Sequence, residues 1–98
     1  MPKVLFTVQY DVVPEKRSDY ITAIKELKSL VHAEGLETYS VYELKGKSNT
    51  FEEVYIFGSQ EAYENFDDAE DERINVLISK IESLKAHNST KYSTLFEL

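Results

Sequence analysis

The sequence predicts an α+β domain with the element order β-α-β-β-α-β, the ferredoxin-like split βαβ arrangement built on a four-stranded antiparallel sheet. Three observations carry that prediction. The first and last segments, Val4 to Val13 and Lys91 to Leu98, alternate apolar and polar residues with the period of a strand. A central pair, Leu36 to Leu44 and Thr50 to Gly58, alternates likewise about the polar turn Lys45-Gly46-Lys47-Ser48-Asn49. Between these lie two stretches with apolar residues at helical spacing. One such set of elements in 98 residues makes a single domain, 1–98.

In the first strand Val4, Phe6, Val8, Tyr10 and Val12 share one face, opposite Thr7, Gln9 and Asp11. Pro14 suits a first helical position, where its missing N–H costs nothing. From there Tyr20, Ile21, Ile24, Leu27, Leu30 and Val31 follow the helical period, and Gly35 is the expected stop. On the hairpin, Tyr39, Val41, Tyr55 and Phe57 alternate with Tyr42, Leu44, Val54 and Ile56. Both faces of the hairpin are therefore apolar, and alternation does not say which one meets the helices. Ser59 is placed to cap a short helix that sets Ala62, Tyr63 and Phe66 on one face. The acidic stretch Asp67-Asp68-Ala69-Glu70-Asp71-Glu72 leads into a longer helix with Ile74, Leu77, Ile78, Ile81 and Leu84. After His87-Asn88-Ser89 the last strand sets Tyr92, Thr94, Phe96 and Leu98 on one face.

Both helical segments should cover one face of the sheet. Leu5, Thr7, Ser93 and Leu95, with one face of the hairpin, then lie on a bare second face. Apolar groups on a bare sheet are costly in water, and a homodimer packing sheet against sheet is the simplest remedy.

Composition narrows the function. Eighteen acidic and eleven basic side chains leave a formal charge of -7, which repels phosphate backbones and anionic lipid. Neither nucleic acid nor membrane is an expected partner. The absence of cysteine removes disulfides, thiolate chemistry and cysteine-ligated metals, and two histidines are too few for a histidine-rich metal site. The acidic stretch lacks the central glycine and final carboxylate of a calcium loop, so no metal is expected. No apolar run approaches the roughly 20 residues of a membrane span, and the first residues lack the character of a signal peptide. A cytoplasmic, soluble protein is expected.

Seven tyrosines without a tryptophan are the main compositional feature. Tyr10, Tyr42, Tyr63 and Tyr92 each offer a phenol that can bond a ligand oxygen, or an apolar body that fills a half-buried sheet. His32, late in the first helical stretch, and His87, after the second, are explained by compensation of a helix C-terminus.

Three stretches carry a resemblance to a known family. Tyr10-Asp11-Val12-Val13-Pro14-Glu15-Lys16 resembles a first strand running into a Pro-Gly-Lys-type turn. Val41-Tyr42-Glu43 resembles the second strand of the same family. Phe57-Gly58-Ser59-Gln60-Glu61-Ala62-Tyr63-Glu64-Asn65-Phe66 resembles its aromatic-x-Ser-x-Glu-Ala-aromatic segment. The family is that of the antibiotic biosynthesis monooxygenases, dimeric α/β barrels, and the likeness spans essentially the whole chain.

The resemblance implies a small aromatic or quinone-like ligand held between sheet and helices and oxygenated without a cofactor. Tyr10, Tyr42, Phe57, Tyr63, Phe66 and Tyr92 are the residues expected to line the pocket, with Tyr63 and Phe66 best supported by their place in the quoted motif. Haem-degrading members place an axial histidine where this chain has Val76, and an asparagine near Val8. Haem is therefore not expected, and no residue is given a catalytic role. A non-catalytic dimeric barrel that binds a small molecule or partner is the alternative, and a structural module with a collapsed core is a third. An apolar pocket with two or more convergent polar groups favours the first, a pocket without them the second, and no pocket the third.

Overall fold

The computed structural model describes residues 2–66 and 71–98. Strand β1 (Val4–Asp11) runs through a 3₁₀ turn (Pro14–Lys16) into helix α1 (Arg17–Leu30). The hairpin β2 (Leu36–Glu43) and β3 (Thr50–Phe57) follows, then the short helix α2 (Gln60–Glu64), helix α3 (Glu72–Leu84) and strand β4 (Lys91–Phe96). The sheet order is β2-β3-β1-β4 with every pair antiparallel, as the ferredoxin-like arrangement requires.

Register decides which side chains meet the helices. Val4, Phe6, Val8 and Tyr10 of β1 pair with Phe57, Tyr55, Glu53 and Phe51 of β3, and Tyr39 and Val41 of β2 continue the same face. This face, with Tyr20, Ala23, Ile24 and Leu27 of α1 and Ile74, Leu77, Ile81 and Leu84 of α3, forms the core. Tyr10, Tyr20 and Phe57 are fully buried, each contributing about 1.5–3 kcal/mol through the apolar area removed from water. The hairpin face left open by alternation is thus the one carrying Tyr39, Val41, Tyr55 and Phe57.

The opposite face is uncovered. Leu95, Leu5 and Ile56 form an apolar row across it, with Val54 beside them. Towards the other end the row gives way to Lys91, Gln9, Glu52 and Tyr42. Strand β4 is an edge with every residue exposed, including Tyr92, Leu95 and Phe96.

Two local readings change. The first helix stops at Leu30 and not at Gly35, because Val31 takes an extended conformation. The Nδ1–H of His32 donates to the freed carbonyl of Leu30 (2.9 Å), so this histidine lies outside the helix and closes its end. Gly35 instead forms the turn into β2, at φ +82°. A Cβ there would lie 2.3 Å from the Cβ of Ala62, so α2 approaches the turn too closely for any side chain.

The caps follow the expected chemistry. Ser59 Oγ accepts from the amide of Ala62 (3.1 Å), and Asp71 accepts from the amide of Arg73 (2.8 Å) to open α3. The rest of the acidic run, 67–70, lies outside the described residues. Among those described, no helix is long and apolar enough to cross a membrane.

Candidate functional site

Strand β3 places one carboxylate in an apolar register. Glu53 shares the helix-facing side with Phe51, Tyr55 and Phe57 and is only 7% exposed. Such a group is stable inside only if donors surround it. Tyr39 Oη, from the neighbouring strand, donates to Glu53 Oε1 at 2.5 Å, and Tyr55 Oη lies 3.5 Å from the same oxygen. Below them Tyr10 Oη and Tyr20 Oη are hydrogen-bonded at 2.7 Å, and the Tyr20 ring packs on Phe51.

Burial pushes the phenols of Tyr10, Tyr20 and Tyr39 well above the ordinary tyrosine range, and the negative charge of Glu53 raises them further. These tyrosines are proton donors, not bases. The cluster is a carboxylate held by phenols in an otherwise apolar layer.

A cation enters from the other side. Lys85 follows the last turn of α3, where its backbone bridges to Val12. The neighbouring bonds from Val13 N–H to the Leu84 carbonyl and from Ala86 N–H to the Asp11 carbonyl pin this segment to the end of β1. Its side chain is 8% exposed, with Nζ 4.1 Å from the centre of the Tyr10 ring and 2.6 Å from Glu82 Oε1.

Glu53 and Lys85 line one cavity of about 160 Å³ between sheet and helices. Phe6, Val8, Tyr55 and Tyr92 form its sheet wall, and Leu27, Ile78 and Ile81 its helical wall, with Glu82 beside Lys85. Phe6 and Tyr92 stack nearly parallel, 14° apart with centroids at 6.1 Å. The cavity is mainly apolar with convergent polar groups of both signs, which is the composition of a ligand site. Among the described residues, no group of three or more His, Asp or Glu side chains is placed to share a metal ion.

The six residues expected in the pocket divide. Tyr92 lines this cavity, two-thirds exposed. Tyr10 lies behind it, buried under Lys85 and bonded to Tyr20. Phe57, Tyr63 and Phe66 do not line the cavity but form an aromatic group behind its Phe6 and Tyr55 wall, with Phe57 fully buried. The Tyr63 hydroxyl is hydrogen-bonded to Thr94 Oγ1 (3.1 Å), and Phe66 packs on Tyr55 and Phe57. Phe66 also lines a larger hollow, about 580 Å³, between the α1–β2 turn and α2 and outside the sheet–helix interior.

Tyr42 is the correction. It pairs with Glu52 on the uncovered face, 61% exposed, and cannot reach a cavity on the helical side. A one-residue step along a strand reverses the face, and Tyr39 occupies the position expected of Tyr42. Val76 faces outward from α3, 63% exposed, whereas Val8 lines the cavity.

Glu53, Lys85, Tyr20 and Tyr39 were not singled out from the sequence. One signal for Glu53 was available: a carboxylate in phase with Phe51, Tyr55 and Phe57 is a charge on the buried side of a strand. Nothing local announces Lys85, because the end of α3 meets β1 only through the tertiary fold.

No protein-family profile matches the chain, and no curated protein matches its sequence. Solved structures match well in shape. A conserved protein from Methanosarcina mazei Go1 superposes with a TM-score of 0.78 at 14% identity, over 97% of this chain and 92% of that one. A protein from Caulobacter crescentus CB15, provisionally named an antibiotic biosynthesis monooxygenase, gives 0.79 at 13% identity, covering 95% of this chain and 87% of its own. A point variant of SnoaB, a cofactor-independent oxygenase from Streptomyces nogalater, gives 0.72 at 8% identity over 95% and 90% of the two chains. The chain therefore has the fold of proteins named antibiotic biosynthesis monooxygenases, as its sequence pattern suggested.

Proposed function

We propose that the chain is a cofactor-independent oxygenase that takes a small aromatic or quinone-like molecule into the cavity between sheet and helices. The observation that carries this reading is Glu53, a carboxylate only 7% exposed that lines the same mainly apolar cavity as a lysine. The shared fold supports it, since one structure of that fold belongs to a cofactor-independent oxygenase.

The chemistry asks little of a protein. An electron-rich hydroxyaromatic loses a proton, and its anion delivers electrons to dioxygen. One oxygen atom enters the ring as a carbonyl, the other leaves as water with two substrate hydrogens, and the substrate itself supplies the electrons. Glu53 is the proton acceptor, and the Lys85 ammonium stabilises the anion that forms. The apolar walls exclude water, which strengthens both interactions.

Oxygen uptake over a panel of quinols and anthrones tests the proposal. Glu53→Gln should slow turnover by about 10²–10⁴, the usual contribution of a general base. Uptake no faster than autoxidation across the panel would refute it. A binding module without turnover is the second reading, favoured by the Tyr39–Glu53 bond, which already occupies the carboxylate.

We also propose that two copies pair through the uncovered face. The apolar row Leu95–Leu5–Ile56 runs unprotected across it, and a second copy offers the same row to match.

A further inference from the structure

We infer that the cavity between Glu53 and Lys85 is built for a single aromatic ring bearing two polar groups, such as a dihydroxybenzene, and not for a fused polycycle. The inference rests on the reading of this cavity as the ligand site and narrows what it takes.

Size is the first argument. The cavity holds about 160 Å³. An apolar protein cavity of roughly 150 Å³ is known to hold benzene, whereas sites for larger, drug-sized molecules span roughly 300–1,000 Å³. One ring fills this space, and a three-ring system would extend beyond it into solvent.

Shape and charge give the second. The nearly parallel Phe6 and Tyr92 rings present flat apolar surface at the sheet wall, and Ile78 and Ile81 face them from α3. The polar groups carry opposite charges. Glu53 has lone pairs beyond those Tyr39 occupies, so it accepts from a ligand hydroxyl. Lys85 has three donors, of which Glu82 takes one, so it donates to a ligand oxygen or oxyanion. A ring with a hydroxyl for each uses the remaining capacity of both, whereas a plain hydrocarbon uses neither.

Neither residue is free to move away. Lys85 is anchored through the backbone bridge to Val12, and Glu53 sits mid-strand opposite Val8. The backbone positions of both groups are therefore set by the fold.

Calorimetric titration under nitrogen, where no turnover occurs, tests this with 1,4-dihydroxybenzene and the tricyclic 1,8-dihydroxyanthrone. The single ring should bind with one site per chain and at least tenfold more tightly than the tricycle. Lys85→Met should weaken it by tenfold or more in a chain that circular dichroism shows to be folded. Ile78→Ala, which enlarges the cavity and leaves both charges, should narrow the preference for the single ring to less than threefold. Equal or tighter binding of the tricycle, or no saturable binding of the single ring, would overturn the inference. Oxygen uptake is measured separately: saturable binding without uptake removes the oxygenase and keeps the single-ring site, while uptake with the tricycle alone does the reverse.

Discussion

The ammonium group of Lys85 stands 4.1 Å from the centre of the Tyr10 ring, and this contact joins the end of α3 to the middle layer of the sheet. Tyr10 is fixed in turn through its hydroxyl bond to Tyr20 of α1. Three elements thus meet at one buried phenol. A desolvated cation over an aromatic face is worth up to about 2 kcal/mol, so Tyr10 holds the lysine at the cavity wall while touching no ligand itself.

The bond between Tyr39 and Glu53 should matter more than any other tyrosine hydroxyl bond to an acceptor. Tyr39→Phe removes a donor from a buried carboxylate and should cost about 1.5–3 kcal/mol in urea denaturation. Tyr63→Phe, which loses an exposed bond to Thr94, should stay within about 0.5 kcal/mol. Equal losses for the two variants would mean that Glu53 does not depend on Tyr39.

Alkaline pH should unfold the protein cooperatively. The phenols of Tyr10, Tyr20 and Tyr39 are raised in the folded state, chiefly by burial. The folded chain therefore keeps protons that the unfolded chain gives up above the ordinary phenol value of about 10. Stability is fully present below that pH and falls above it, by about 1.4 kcal/mol per pH unit for each phenol. Phenolate absorbance followed beside circular dichroism should show these three ionising only with loss of structure. Seven independent tyrosine titrations in a folded chain would contradict the buried cluster.

Two glycines of similar backbone angle should respond differently to alanine. Gly35 and Gly46 lie at φ +82° and +83°. Gly46 has open space around it, so Gly46→Ala should cost only the left-handed penalty of about 1–2 kcal/mol. Gly35→Ala adds the clash with Ala62 and should cost clearly more, and Ala62→Gly in the same chain should restore the difference. A double-mutant cycle without coupling would refute the close approach.

The uncovered face should control assembly. Sedimentation at micromolar concentration should show a dimer, and Ile56→Lys, in the middle of the apolar row, should give a folded monomer. A monomeric parent protein would dispose of the pairing.

Much of the fold was legible because the signals are local. Alternation in Val4 to Val12 and helical spacing from Ile74 to Leu84 report one element's own period, and they need no knowledge of neighbours. The same alternation placed Leu5 and Leu95 together on the second face. The site was less legible. A period of two separates faces without labelling them, so Tyr42 and Tyr39 were indistinguishable until β2 paired with β3 and the helices covered one side. Val31, apolar and in helical phase, continued the pattern of α1 in sequence, yet the chain had to leave the helix there to reach β2. The sequence by itself determined which elements form and in what order, because hydrophobic period is a property of a few consecutive residues. Only the tertiary structure decided that Glu53 and Lys85 share one cavity and that Tyr39 bonds the carboxylate, because the three come from separate elements brought together by packing.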